Sequence, residues 1–186
     1  MSRPDGSARS AAKRAADLLA VLDPQLEQPD PQVVVDVLRG YGEPEPIDLD
    51  AAGVAGLRAV AAELWNVFAA SSTGQAADRL NAILQAHAGP PRLSVHQQTA
   101  WHIHVDQDDD GPWAQWFASS SAMALATLLA ERQVNPAGLC ASARCGRPFI
   151  DLGQGAPRRY CSPRCATRER VAAHRKLGGQ PRHPIE

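Results

Sequence analysis

The chain has 186 residues, a formal net charge of −1 and a hydrophobic share of 44%, which suit one compact domain with a small appendage and exclude wholesale disorder. No apolar run reaches membrane-spanning length, and the cationic N-terminus leads into an Ala/Leu stretch interrupted by Asp17, unlike the core of a signal peptide. Cytoplasmic residence without membrane contact is therefore expected. The near-neutral total conceals a split. Residues 1–137 hold 9 Lys/Arg against 17 Asp/Glu, a formal −8, while residues 138–186 hold 10 against 3, a formal +7. An acidic body with a basic arm points to a polyanionic partner for the arm.

Residues 1–10 are polar and read as a flexible N-terminus. A helical period runs from Ala11 to Leu22, with Leu18, Leu19 and Leu22 facing a core. Asp30-Pro31 is a helix start ahead of Val33, Val34, Val37 and Leu38, and Gly40 and Gly42 end that helix. The next helix runs from an Asp50 cap to Ala70, with Leu57, Val60, Ala61, Leu64, Trp65 and Phe68 at three- and four-residue intervals. A cap at Thr73 opens a fourth helix, striped by Leu80, Ile83 and Leu84 and broken by Gly89-Pro90-Pro91.

There the period changes. Leu93–His96 and Trp101–Val105 alternate like the strands of a small hairpin, with Trp101, Ile103 and Val105 expected inward and His102 and His104 outward. His102 and His104, with His96 or Asp106, could form a second metal or anion site. A polar strand face is the favoured reading, because one strand does not supply convergent partners. Asp106 to Asp110 lacks the spaced ligands of a calcium loop and reads as a solvated turn, with Asp110 capping a helix over residues 112–134. Trp113, Trp116, Phe117, Leu125, Leu128 and Leu129 on that helix read as core. No glycine-rich phosphate loop after a strand, G-x-S-x-G elbow or H-E-x-x-H helix occurs, so no enzymatic activity is expected.

All four cysteines lie at the C-terminal end. Cys140 and Cys145 form a C-x4-C pair, fifteen residues follow, and Cys161 and Cys165 form a C-x3-C pair. Such pairs can close four thiolates around one tetrahedral Zn2+, filling its coordination sphere and leaving no position for a reactive water. Two disulfides or an iron–sulfur cluster could use the same residues, but a reducing compartment disfavours the first and zinc is preferred to the second. Phe149–Leu152 reads as a strand, Gly153-Gln154-Gly155 as a turn, and Arg158–Tyr160 as the return strand. Ser162-Pro163 reads as the start of a helix reaching about Leu177, which puts Cys165 in its first turn.

The sequence therefore describes a mostly α protein with a small β-hairpin. A helical domain over 11–137 precedes a treble-clef-like finger over 138–177 and a flexible tail over 178–186. The segments Cys140–Gly146, Phe149–Asp151, Arg158–Ser162 and Ala172–Arg175 resemble the CGNR-type zinc-finger proteins, bacterial transcription regulators with an N-terminal helical region called the ABATE domain. The naming motif reads Cys165-Ala166-Thr167-Arg168 here, and Tyr160 stands where tryptophan is usual. The resemblance implies that Cys140, Cys145, Cys161 and Cys165 hold one structural zinc ion and that the finger meets double-stranded DNA. Arg158, Arg159, Arg164, Arg168, Arg170, Arg175 and Lys176, with His174 from the matching segment, form the expected nucleic-acid face. The N-terminal domain is expected to sense a small-molecule effector or to form a homodimer. The alternative is a zinc-folded adaptor that binds protein and no nucleic acid, or a basic arm docked on its own acidic body.

Overall fold

The computed structural model describes residues 7–95, 101–107, 111–153 and 155–178. Among these lie six helices, α1 (Ala8–Val21), α2 (Pro31–Gly40), α3 (Ala51–Phe68), α4 (Thr73–His87), α5 (Trp113–Arg132) and α6 (Pro163–Gly178). Four short strands, β1 (Arg92–Ser94), β2 (His102–His104), β3 (Ala137–Leu139) and β4 (Pro148–Ile150), form two antiparallel pairs, β1 with β2 and β3 with β4. His96, Asp108, Asp109, Asp110, Gln154 and the tail after Gly178 lie outside the described residues.

The helix starts follow local chemistry. The Asp30 carboxylate accepts from Gln32 N with Pro31 in the first turn, and Asp50 accepts from Gly53 N. For α4 the cap is Ser72, whose hydroxyl accepts from Gln75 N, and the expected cap, Thr73, is the first helical residue. Helix α5 is the centre of the body and packs against α1, α3 and α4. Its sequence explains the position. Phe117, Leu125 and Leu128 are buried together with Ala118, Ser119, Ser121, Ala122 and Ala124, so no wide polar face remains and small side chains let its neighbours approach closely. It ends at Gln133 in the left-handed conformation, whose N–H bonds Leu129 O.

The first hairpin forms as expected and Val105 is buried, but Trp101 and Ile103 face outward. Ile103 and Trp101 are 57% and 70% exposed, and Leu93, the cross-strand partner of Ile103, is exposed as well. His102 and His104 occupy the half-buried face, and Val105 and Asp106 are buried. Polar satisfaction decides the outcome. Arg92 Nη1 donates to Asp106 O at 2.6 Å, and His104 Nδ1 meets Asp106 Oδ1 at 2.9 Å. Below, on the body, Arg14 pairs with Glu43, donates to Ser120 Oγ and lies 4.3 Å from the Trp116 ring centroid. Turning the strand over would take His104 from the buried Asp106 carboxylate, a loss that offsets the exposure of Leu93, Trp101 and Ile103.

The second hairpin corrects the sequence reading of the finger. β4 pairs with β3, in register Gly138↔Phe149, and not with Arg158–Tyr160, which have irregular backbone. The Phe149 ring lies over Gly138, where a Cβ would come within 3.2 Å of it. The chain beyond β4 instead folds around Asp151, whose carboxylate accepts from Gly153 N and Arg158 N. The finger is also continuous with the body. Ile150 joins the main hydrophobic core, α1 and α3 pack on the β3–β4 pair, and Asn135 Nδ2 donates to Val67 O.

Candidate metal centre

The first cysteine pair caps the β3–β4 hairpin. Cys140 N donates to Arg147 O at 2.9 Å and Cys145 N to Ser142 O at 2.9 Å, closing a tight knuckle with Gly146 at φ 62°. That dihedral lies in the left-handed region where glycine carries no Cβ penalty. The second pair sits where the chain enters α6. Cys161 N points to Cys140 Sγ at 3.4 Å, and the Ser162 hydroxyl accepts from Cys165 N at 3.3 Å as a helix cap. Ala141 N donates to Arg159 O at 2.8 Å and ties the two halves together.

The four sulfurs converge. All lie within 4.8 Å of one another, with Cys145 Sγ to Cys161 Sγ at 3.7 Å and Cys161 Sγ to Cys165 Sγ at 3.8 Å. A tetrahedral ion at a Zn–S distance of ~2.3 Å places its sulfurs ~3.8 Å apart. The donor set therefore fits one zinc ion in a closed, structural shell. Cys140 and Cys165 are buried and Cys145 and Cys161 are partly so, packed with Phe149 and Tyr160. Burial and the neighbouring thiols push the Cys161 thiol up to about 12, whereas the Ser162 hydroxyl brings Cys165 down to about 7. Zinc binding needs thiolates and therefore displaces protons from the cluster. The four cysteines form no disulfide, and the neighbouring sulfurs at 3.7 and 3.8 Å have the spacing of a shared ion.

The basic residues around this centre differ in what they touch. Arg158 reaches back to Asp151 Oδ1 at 3.1 Å and to Ile150 O at 2.7 Å, and lies 5.4 Å from the Phe149 ring centroid. Arg168 is half-buried, with Nη1 3.4 Å from Ser142 Oγ, which itself donates to Glu169 at 2.7 Å. Arg159, Arg164, Arg170, His174 and Arg175 are exposed, and Arg159 lies over Tyr160. Lys176 lies on α6, with its side chain outside the described residues. A hollow of about 300 Å³ opens between Arg158, Arg159, Tyr160 and the first turn of α6. Sequence reasoning missed Ser142 and Asp151, the two buried polar residues that hold the finger's loops. Neither carries a helix-cap signal, and their partners Arg158 and Glu169 lie 7 and 27 residues away.

Among the described residues no helix is long and apolar enough to cross a membrane. No curated protein matches the chain. The segment from residue 137 to residue 176, which contains the β3–β4 hairpin, all four cysteines and most of α6, matches the family model described as CGNR zinc finger.

Proposed function

We propose that this chain is a cytoplasmic, DNA-binding transcription regulator whose zinc-braced finger lays α6 against a duplex, while the helical body senses an effector or dimerises. One observation carries the reading. Beyond Glu169, α6 is exposed at every residue from Arg170 to Arg175, and Arg159, Arg164, Arg170 and Arg175 present guanidinium groups with no acidic partner within salt-bridge distance among the described residues. Guanidinium groups engage phosphate bidentately, and each neutralised phosphate releases counterion. The exposed arginines make no ion pair with the acidic body among the described residues, which favours a partner outside the chain.

The test is duplex binding by the zinc-loaded chain across a salt series. With about five phosphate contacts, affinity is expected to fall roughly 500-fold between 50 and 200 mM salt. Replacing Arg159, Arg164 and Arg175 together with alanine is expected to flatten that slope. Arg158→Ala is expected to act chiefly on folding of the finger. Absence of duplex binding at low salt overturns the reading and favours a zinc-folded adaptor that binds protein.

A further inference from the structure

We propose that the body carries a second metal site, in which His102 and His104 jointly bind one divalent late-transition ion of the Ni2+, Co2+ or Cu2+ class. The inference concerns the body alone and stands whether or not α6 meets DNA.

The argument begins with the strand. Residues two apart on β2 project to one face, and the reversed facing of this hairpin turns that face toward the body. The two rings are not stacked. Their centroids are 4.8 Å apart with planes tilted by 47°, yet the two Nε2 atoms are only 2.9 Å apart. The two Nε2 atoms therefore face each other within hydrogen-bonding distance, and an ion set beside them could take both.

Asp106 supplies the next element. Its Oδ1 lies 2.9 Å from His104 Nδ1, so that nitrogen carries the proton and the lone pair is fixed on Nε2. A carboxylate holding the far nitrogen of an imidazole orients and strengthens a metal-ligating histidine. Arg92, through Asp106 O and the carboxylate, holds Asp106 in turn. Glu43 is close enough to His104 for their charges to interact, and the two carboxylates, Glu43 and Asp106, are balanced by Arg14 and Arg92.

A pair of imidazole nitrogens this close also fits one class of metal better than another. Two nitrogens at ~2.05 Å from an ion and 2.9 Å from each other subtend about 90° at it. That is the angle between neighbouring positions in octahedral or square-planar coordination, the preference of Ni2+ and Cu2+. Tetrahedral Zn2+ wants its nitrogens ~3.4 Å apart. The two centres thus divide the metals: four sulfurs for zinc, two imidazoles and added oxygen ligands for the later ions. A dissociable ion beside the Arg14–Glu43 pair is the kind of effector that a sensory body would read.

The experiment uses the tag-free, zinc-loaded full chain, titrated with Ni2+ and followed by calorimetry and metal analysis after dialysis. One Ni2+ per chain is expected beyond the zinc. His102→Ala and His104→Ala are each expected to weaken it at least tenfold with zinc content and far-UV circular dichroism unchanged, and Asp106→Asn to weaken it about tenfold. In histidine-selective ring spectra of the unmutated chain, Ni2+ is expected to broaden His102 and His104 before His87 and His174. No nickel beyond the zinc, uptake indifferent to both alanine variants, or earlier broadening of the other rings would each overturn the site and leave a simple His–His hydrogen bond.

Discussion

Asp151 shows how one side chain can hold a loop that no spacing rule marks. It is buried, and burial alone raises its pKa, but the N–H groups of Arg158 and Gly153 and the Arg158 guanidinium outweigh this and hold the carboxyl below its ordinary range. A carboxylate with a depressed folded-state pKa stabilises the fold above the unfolded pKa, and that stability disappears as pH falls through the folded value. Asp151→Asn is therefore expected to cost about 1–3 kcal/mol at neutral pH, the usual range for a charge-assisted bond at a buried acceptor. Denaturant unfolding of the zinc-loaded chain as a function of pH checks this. The difference is expected to shrink in acid, and a gap constant with pH would refute the electrostatic account. The residues legible in the sequence were those with local partners. Asp30 and Asp50 bond N–H groups two or three residues on, and proline or an apolar period beside them reveals the cap. Asp151 also bonds an N–H two residues on, but no helix follows it, and its partner Arg158 and the Glu169 partner of Ser142 lie 7 and 27 residues away, so nothing adjacent announces their role.

At the scale of elements, alternation located the first hairpin but could not say which face is covered. A two-residue period defines two faces, and the choice between them lies in the surface underneath, here the Arg14–Glu43 pair on α1 and the loop after α2. Ile103→Thr is accordingly expected to change stability by less than about 0.5 kcal/mol, whereas Val105→Ala, at a buried position, is expected to cost about 1–3 kcal/mol. Thermal melts of the two variants compare them directly, and equal losses would restore the inward reading of Ile103. The β3–β4 pair was hidden for another reason. Ala137, Gly138 and Leu139 are neither β-branched nor aromatic, and Phe149 covers the one position without a side chain. Gly138→Val pushes into that ring and is expected to destabilise the hairpin by about 1–3 kcal/mol and to weaken zinc retention against a chelator, with Gly138→Ala intermediate. The cysteine spacing needed no such context, because a tetrahedral ion imposes its own geometry.

At the scale of the molecule, the sequence suggested a joint near residue 137, and the fold places a shared core there. Ile150 belongs to the body's core, while Phe149 beside it packs among the zinc-binding sulfurs. Removing zinc is thus expected to release residues 140–178 without unfolding α1 to α5. Hydrogen exchange is expected to show protection lost in α6, kept in α5, and reduced but not abolished around Ile150. Unfolding of the whole chain on chelation would mean that the body depends on the metal, contrary to the helical core it builds without the cysteines.

Two adjacent side chains of one short strand, Phe149 and Ile150, therefore join what composition divides. Helix α6, sixteen residues or roughly 24 Å long, starts at the cysteine cluster that Phe149 packs against, so a small tilt of that cluster would be magnified at its far end.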